Sequence, residues 1–205
     1  LLLFLNPPTR WLAVGGFGVP VLYPFMKRWT HLPQLVLGAA FSWGLLMAYT
    51  AVRGHLPSEA WLLFVASVAW IVAYDTLYAM VDRDDDLRVG IRSTAILFGR
   101  GDRLAIGLLQ AGALVALARF GSIREFGTFY HLGLLGMASS FAWQHWLVRE
   151  RERAGCLEAF LNNVWAGFSL FAGVVLETQL AAGLAGSALD TGADLAHLDQ
   201  LNQKL

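Results

Sequence analysis

The chain has 205 residues, 57% of them hydrophobic and 15% charged, and its 15 Lys and Arg balance its 15 Asp and Glu. Soluble domains carry about 25% charge, so this composition, with a mean hydropathy of +0.53, points to a membrane protein; zero net charge gives no ground for a nucleic-acid partner. The single cysteine, Cys156, excludes an internal disulfide framework and an all-cysteine metal site, and the five histidines show no paired metal-ligand spacing.

In chain order, residues 1–10 open with LLLFL and no basic n-region, which reads as the end of a longer helix rather than a signal peptide. After the turn NPPTR, apolar segments of spanning length recur with short polar breaks. The first covers residues 11–26 and the second 33–52, ending at RGHLPS. The third, 59–78, runs directly into an acidic stretch, and three more follow at 103–119, 126–148 and 157–180. Six such segments in 205 residues leave too little polar surface to cover a soluble core. The pattern therefore predicts an all-α, polytopic transmembrane helix bundle over residues 11–180. Trp11, Trp29, Trp61 and Trp146 stand toward segment ends, where interfacial anchors belong. Residues 181–205 form a less apolar tail rich in small residues, to which no function is assigned.

The basic residues predict orientation. Lys27 and Arg28, then Arg83, Arg88, Arg92, Arg100 and Arg103, then Arg149, Arg151 and Arg153 share one side, which makes ten of the fifteen. Positive charge is retained in the cytoplasm, so these loops are expected to be cytoplasmic. The acidic stretch shares their face.

That stretch, AYDTLYAMVDRDDDLRVG, carries Asp75, Asp82, Asp84, Asp85 and Asp86. If the third helix continues through residue 86, then Asp75, Asp82 and Asp86 fall on one stripe, since steps of seven and four return to the same face. Asp84 and Asp85 point elsewhere. Carboxylates in one column near a low-dielectric bilayer repel one another, and a divalent cation relieves that repulsion. Oxygen-only ligation suits Mg2+, which commonly bridges protein carboxylates to a substrate's phosphates. Two plainer readings stay open at this point, a helix-end cap and a solvated charge run. Arg83, Arg88 and Arg92 lie beside the acids and can neutralise phosphate oxygens. GIRST, residues 90–94, reads as a flexible hinge with hydroxyls, and Tyr74 and Tyr78 flank the cluster. Acids and bases at the mouth of an apolar bundle suit a diphosphate head with a lipid tail.

YDTLYAMVDRDDDLRVGIRSTAILFG closely resembles the second aspartate-rich motif of the UbiA-type intramembrane prenyltransferases. VLYPFMKRWTHLPQLVLGAAFSWGLLMAY and RERAGCLEAFLNNVWAG are similar to 4-hydroxybenzoate polyprenyltransferases of ubiquinone synthesis, and the resemblance covers most of residues 11–176. It implies nine transmembrane helices around a central cavity, of which about six would be complete here. Two aspartate-rich motifs would face each other across it and hold Mg2+ against a polyprenyl diphosphate. By the resemblance the DxxxD pair is Asp82 and Asp86, the metal ligands, with Asp75 a further catalytic aspartate. Lys27 and Arg28 match the family's basic loop, and Arg83, Arg92 and Tyr78 complete the expected diphosphate- or acceptor-binding set. The first motif, of the type NDxxDxxxD, is absent from this sequence, so the chain alone is expected to be inactive. The implied location is a bacterial inner membrane, with 4-hydroxybenzoate and polyprenyl diphosphate as substrates. Rival readings are another acceptor (homogentisate, a naphthoate or a haem precursor), a cation transporter, or a non-enzymatic membrane subunit.

Overall fold

The computed structural model describes residues 2–180, apart from the side chain of Lys27. The tail 181–205 lies outside the described residues. Among those described, helices are joined by short turns and no strand occurs. The helices are α1 (Pro7–Trp29), α2 (Pro33–Arg53), α3 (Ser58–Val89), α4 (Thr94–Phe98), α5 (Asp102–Ile123), α6 (Thr128–Leu147), α7 (Arg153–Leu161) and α8, residues 163–180. Leu2–Phe4 forms a single 3-10 turn before α1.

All six apolar segments are helical, but their bounds differ from expectation in physically informative ways. The third continues unbroken for 32 residues to Val89, so its acids are helical. The sixth breaks at Asn162, where a one-residue turn separates α7 from α8. GIRST is less of a hinge than it reads: Ser93 caps α4 by accepting the Ile96 N–H at 3.4 Å, and Thr94 is buried. Four stretches are long and apolar enough to cross a membrane: Pro33–Arg53, Ser58–Val89, Thr94–Ile123 and Arg153–Leu180. The helices α1 and α6 fall outside that group, being diluted by Gly and Pro in α1 and by His, Gln and Ser in α6.

The central element is α3, which packs against α2, α4, α5 and α7. Its alanines 60, 66, 73 and 79 are buried and allow neighbours to approach closely. Around them, Leu77, Met80, Ile106, Val148 and Cys156 form one core cluster near the acidic end. Leu117, Tyr130, Leu134, Met137 and Phe141 form a second near the other end. Lipid tails are as apolar as these side chains, so close packing and interhelical hydrogen bonds must hold such a bundle.

Both devices are present. Gly133 of α6 meets Gly173 of α8 so closely that a Cβ on Gly133 would stand 2.7 Å from Ser169 O. The Gln110 amide donates to Gln144 Oε1 at 2.7 Å, and Gln144 in turn donates to Asn162 Oδ1 at 3.3 Å. Trp70 Nε1 donates to Asn163 Oδ1 at 2.9 Å. Asn6 caps α1 through Thr9 and ties it to α2, because its Nδ2 donates to Thr50 O at 2.7 Å. Glu177 of α8 caps α6 from a distance: Oε1 accepts Gly127 N–H at 2.8 Å, and Oε2 accepts those of Phe129 and Tyr130 at 3.1 and 3.3 Å.

The glycine contact gives a direct test. Gly133→Leu is expected to cost about 3 kcal/mol and to disperse the monodisperse peak in detergent size-exclusion chromatography. Gly112→Leu, where an added Cβ meets nothing within 4 Å, is expected to leave that peak intact.

Candidate active site at the end of α3

The stripe that spacing predicts is realised because α3 does not end at the apolar boundary. Ala73, Leu77 and Met80 face the core, which leaves Asp75, Asp82 and Asp86 half-buried on another face. Asp84 and Asp85 are exposed, and Asp85 is paired with Arg153 at 2.6 Å and Arg88 at 3.6 Å. The helix stops at Gly90, whose φ of 71° lies in the left-handed region that strains most other residues, as does the 74° of Gly54 at the end of α2. The Ile91 N–H then donates to Asp86 O at 2.9 Å, turning the chain back toward the acids.

A cavity of about 80 Å³ results, lined by Asp75, Tyr78, Asp82 and Asp86 of α3, Tyr23 of α1, Gln34 of α2, and Arg92 and Ser93 of the turn. Larger cavities of about 520 and 600 Å³ lie elsewhere, but their linings are overwhelmingly apolar and offer no comparable chemistry. Arg92 is held at the rim, where its Nη1 donates to Trp29 O at the end of α1 at 3.1 Å. Tyr78 packs against Phe160 of α7, the rings tilted by 54° with centroids 5.1 Å apart. Tyr74 points instead into an aromatic cluster with Trp70 and Phe160.

Of the residues singled out in the sequence, Asp75, Asp82, Asp86, Tyr78 and Arg92 meet around this cavity. Arg28 is exposed on the last turn of α1 and is not among the lining residues. Lys27 stands beside it on α1, with its side chain outside the described residues.

Arg83 goes elsewhere. It is one step from Asp82, about 100° around the helix, and its Nη2 reaches Asp102 Oδ2 at 2.6 Å. The same nitrogen donates to Ala95 O at 2.7 Å and Gly99 O at 3.2 Å. Asp102 is fully buried and also receives Arg151 Nη2 at 2.9 Å and the Arg103 N–H at 2.6 Å. A buried carboxylate needs this many partners. The pairing places Arg83 in the scaffold behind α3 and not on the cavity. Sequence reading missed Asp102 altogether; a lone acid after GRG at a helix start was the available signal.

The donor chemistry fits Mg2+ as half of a site. Asp82 and Asp86 stand one helical turn apart on one face, whereas Asp75 lies about 10 Å further along the axis, beyond the ~2.1 Å reach of a shared ion. Accordingly, no cluster of three or more His, Cys, Asp or Glu able to hold a metal occurs among the described residues. Two carboxylates, completed by substrate oxygens, is an ordinary Mg2+ arrangement.

Residues 1–172 match the model of the UbiA prenyltransferase family, and the chain belongs to that family. It is 55% identical over 180 residues to a 4-hydroxybenzoate octaprenyltransferase of Pseudomonas syringae, covering 88% of this chain and 61% of the relative. The enzyme of the same name from Chromohalobacter salexigens is 59% identical over 171 residues, covering 83% and 57%. The chain thus spans about three-fifths of the length of these relatives. In fold it is similar to a UbiA homolog from Aeropyrum pernix K1, with TM-score 0.73 at 21% identity over 86% of this chain and 66% of that one. A digeranylgeranylglyceryl phosphate synthase structure gives TM-score 0.70 at 18% identity over 84% and 62%.

The scaffold role of Asp102 is testable. Asp102→Ala strands two guanidinium groups and is expected to cost about 3–5 kcal/mol, read as a lowered Tm in detergent. Paired with Arg83→Met in a double-mutant cycle, it should show strong coupling.

Proposed function

We propose that the whole protein to which this chain belongs transfers a polyprenyl group from polyprenyl diphosphate to the ring of 4-hydroxybenzoate, ortho to the hydroxyl, in ubiquinone biosynthesis. The observation that carries this is the meeting of an aspartate column with Arg92 in one cavity beside an apolar bundle. The named relatives supply the acceptor. Residues 11–180 form the prenyltransferase bundle, a multi-pass unit of a bacterial inner membrane with the acidic end of α3 in the cytoplasm.

In this reading Asp82 and Asp86 hold Mg2+, which supplies neutralising charge to the leaving diphosphate when bound. Arg92 adds fixed positive charge where negative charge develops on the departing oxygens, and Lys27 and Arg28 on the last turn of α1 are further diphosphate-binding candidates. Arg28 or Arg92 can equally engage the acceptor carboxylate. The allylic C–O bond opens, the electron-rich acceptor ring attacks the allylic carbon, and loss of the ring proton restores aromaticity. Asp75, two turns deeper than Asp82, faces the region where positive charge appears. Tyr78 supplies an aromatic wall on the same side. Arg83 positions α3 through Asp102 and touches no substrate.

In membranes carrying the full-length protein, Asp82→Ala is expected to lower Mg2+-dependent prenyl transfer about 100-fold or more. Asp84→Ala, on the exposed face, should remain near the unmodified rate, and EDTA should silence both. Equal losses at the two positions would remove the face assignment. An acceptor panel containing homogentisate and a naphthoate reads the acceptor directly; preference for either over 4-hydroxybenzoate would displace that part of the reading.

A further inference from the structure

Gln34 carries no signal in the sequence, where PQ after a turn simply reads as a helix start. In the fold it occupies the first turn of α2, is 5% exposed, and lines the cavity with Asp75, Asp82, Asp86 and Arg92. A carboxamide has one accepting oxygen and a two-proton donor, distinguishable by their partners. Here Oε1 accepts the buried Thr94 N–H at 3.1 Å. Thr94 is itself fixed, because its hydroxyl lies 2.8 Å from that of Thr76. Thr76 donates to Val72 O at 2.6 Å, so the Thr94 hydroxyl is the donor between the two threonines. This chain of bonds joins α2, α4 and α3 immediately behind the acids and sets the plane of the Gln34 amide.

Capping Thr94 accounts for the oxygen of Gln34 but not for its amino group. A carboxylate could accept the Thr94 N–H equally well, but it has no donor and would add charge. The carboxamide combines that acceptor with two N–H donors while adding no charge to a wall already crowded with carboxylates. Resting on the proposed function, we infer that Gln34 is a substrate-binding residue whose Nε2 donates to the diphosphate oxygens of the prenyl substrate. Thr94 and Thr76 act as positioning residues that hold its oxygen away from the cavity. A neutral donor at this point offsets the repulsion between Asp75, Asp82, Asp86 and an anionic head.

The test is binding to the full-length protein in detergent with Mg2+, using an unreactive prenyl thiodiphosphate and the corresponding uncharged prenyl alcohol. Gln34→Met is expected to raise Kd for the thiodiphosphate about tenfold or more, while Kd for the alcohol stays unchanged. Gln34→Glu keeps the acceptor for Thr94 N–H, removes the N–H donors and should show the same split. It carries the test if the methionine variant does not fold. Unchanged thiodiphosphate affinity, or an equal loss for both ligands, overturns the assignment. If the unmodified protein binds the alcohol but not the thiodiphosphate, both this assignment and the proposed function fall. Binding by the unmodified protein with unaffected variants removes this assignment alone.

Discussion

The site depends on α3 being longer than a membrane is thick. A helix of 32 residues is about 48 Å long, against roughly 30 Å of hydrocarbon. Asp82 and Asp86 stand within about its last two turns, past the apolar run, while Asp75 lies about 10 Å nearer to that run. A projecting helix end would fray unless something braced it, and the brace is electrostatic. Arg83 locks the helix to buried Asp102 at the start of α5, and Arg151 locks Asp102 to the segment before α7. One face of the same two turns thus presents Asp82 and Asp86 to the cavity while a face about 100° away is bolted to the scaffold. The alternation Asp82, Arg83 is the point at which chemistry and support separate.

Below that level the bundle is held by contacts that do not rely on excluding water. Gln110, Gln144 and Asn162 form a polar line through apolar surroundings, joining α5, α6 and the α7–α8 turn. His145 joins it, with Nε2 3.1 Å from Gln110 Oε1. Such groups have no competing solvent and must satisfy one another. They fix which helix faces meet, a specificity that interchangeable aliphatic packing cannot provide alone. The break at Asn162 belongs to this line: the residue that ends α7 is also the last acceptor in it.

Much of this was legible in the sequence, and the remainder was hidden for definable reasons. Apolar runs gave the helices, and steps of seven and four gave the aspartate stripe, because both follow from 3.6 residues per turn. The same arithmetic, applied to Arg83, turns it off the stripe, while its charge alone groups it with Arg92. Asp102 and Gln34 were invisible because each acts through partners far along the chain, Arg151 and Thr94 respectively. The α7–α8 break lacks Gly or Pro and is set by side-chain hydrogen bonds. Ser93 and Thr94 read as loop hydroxyls, yet one caps a helix and the other is buried against Thr76.

The carboxylate of Glu177 has a consequence for biogenesis. It satisfies three backbone amides at the beginning of α6, a helix made some fifty residues earlier in synthesis. Until α8 arrives, those amides lack this acceptor. Insertion of α8 therefore completes a helix that precedes it. A nascent chain stopped short of Glu177 would leave the first turn of α6 without these acceptors, so this one side chain ties the completion of α6 to the arrival of α8.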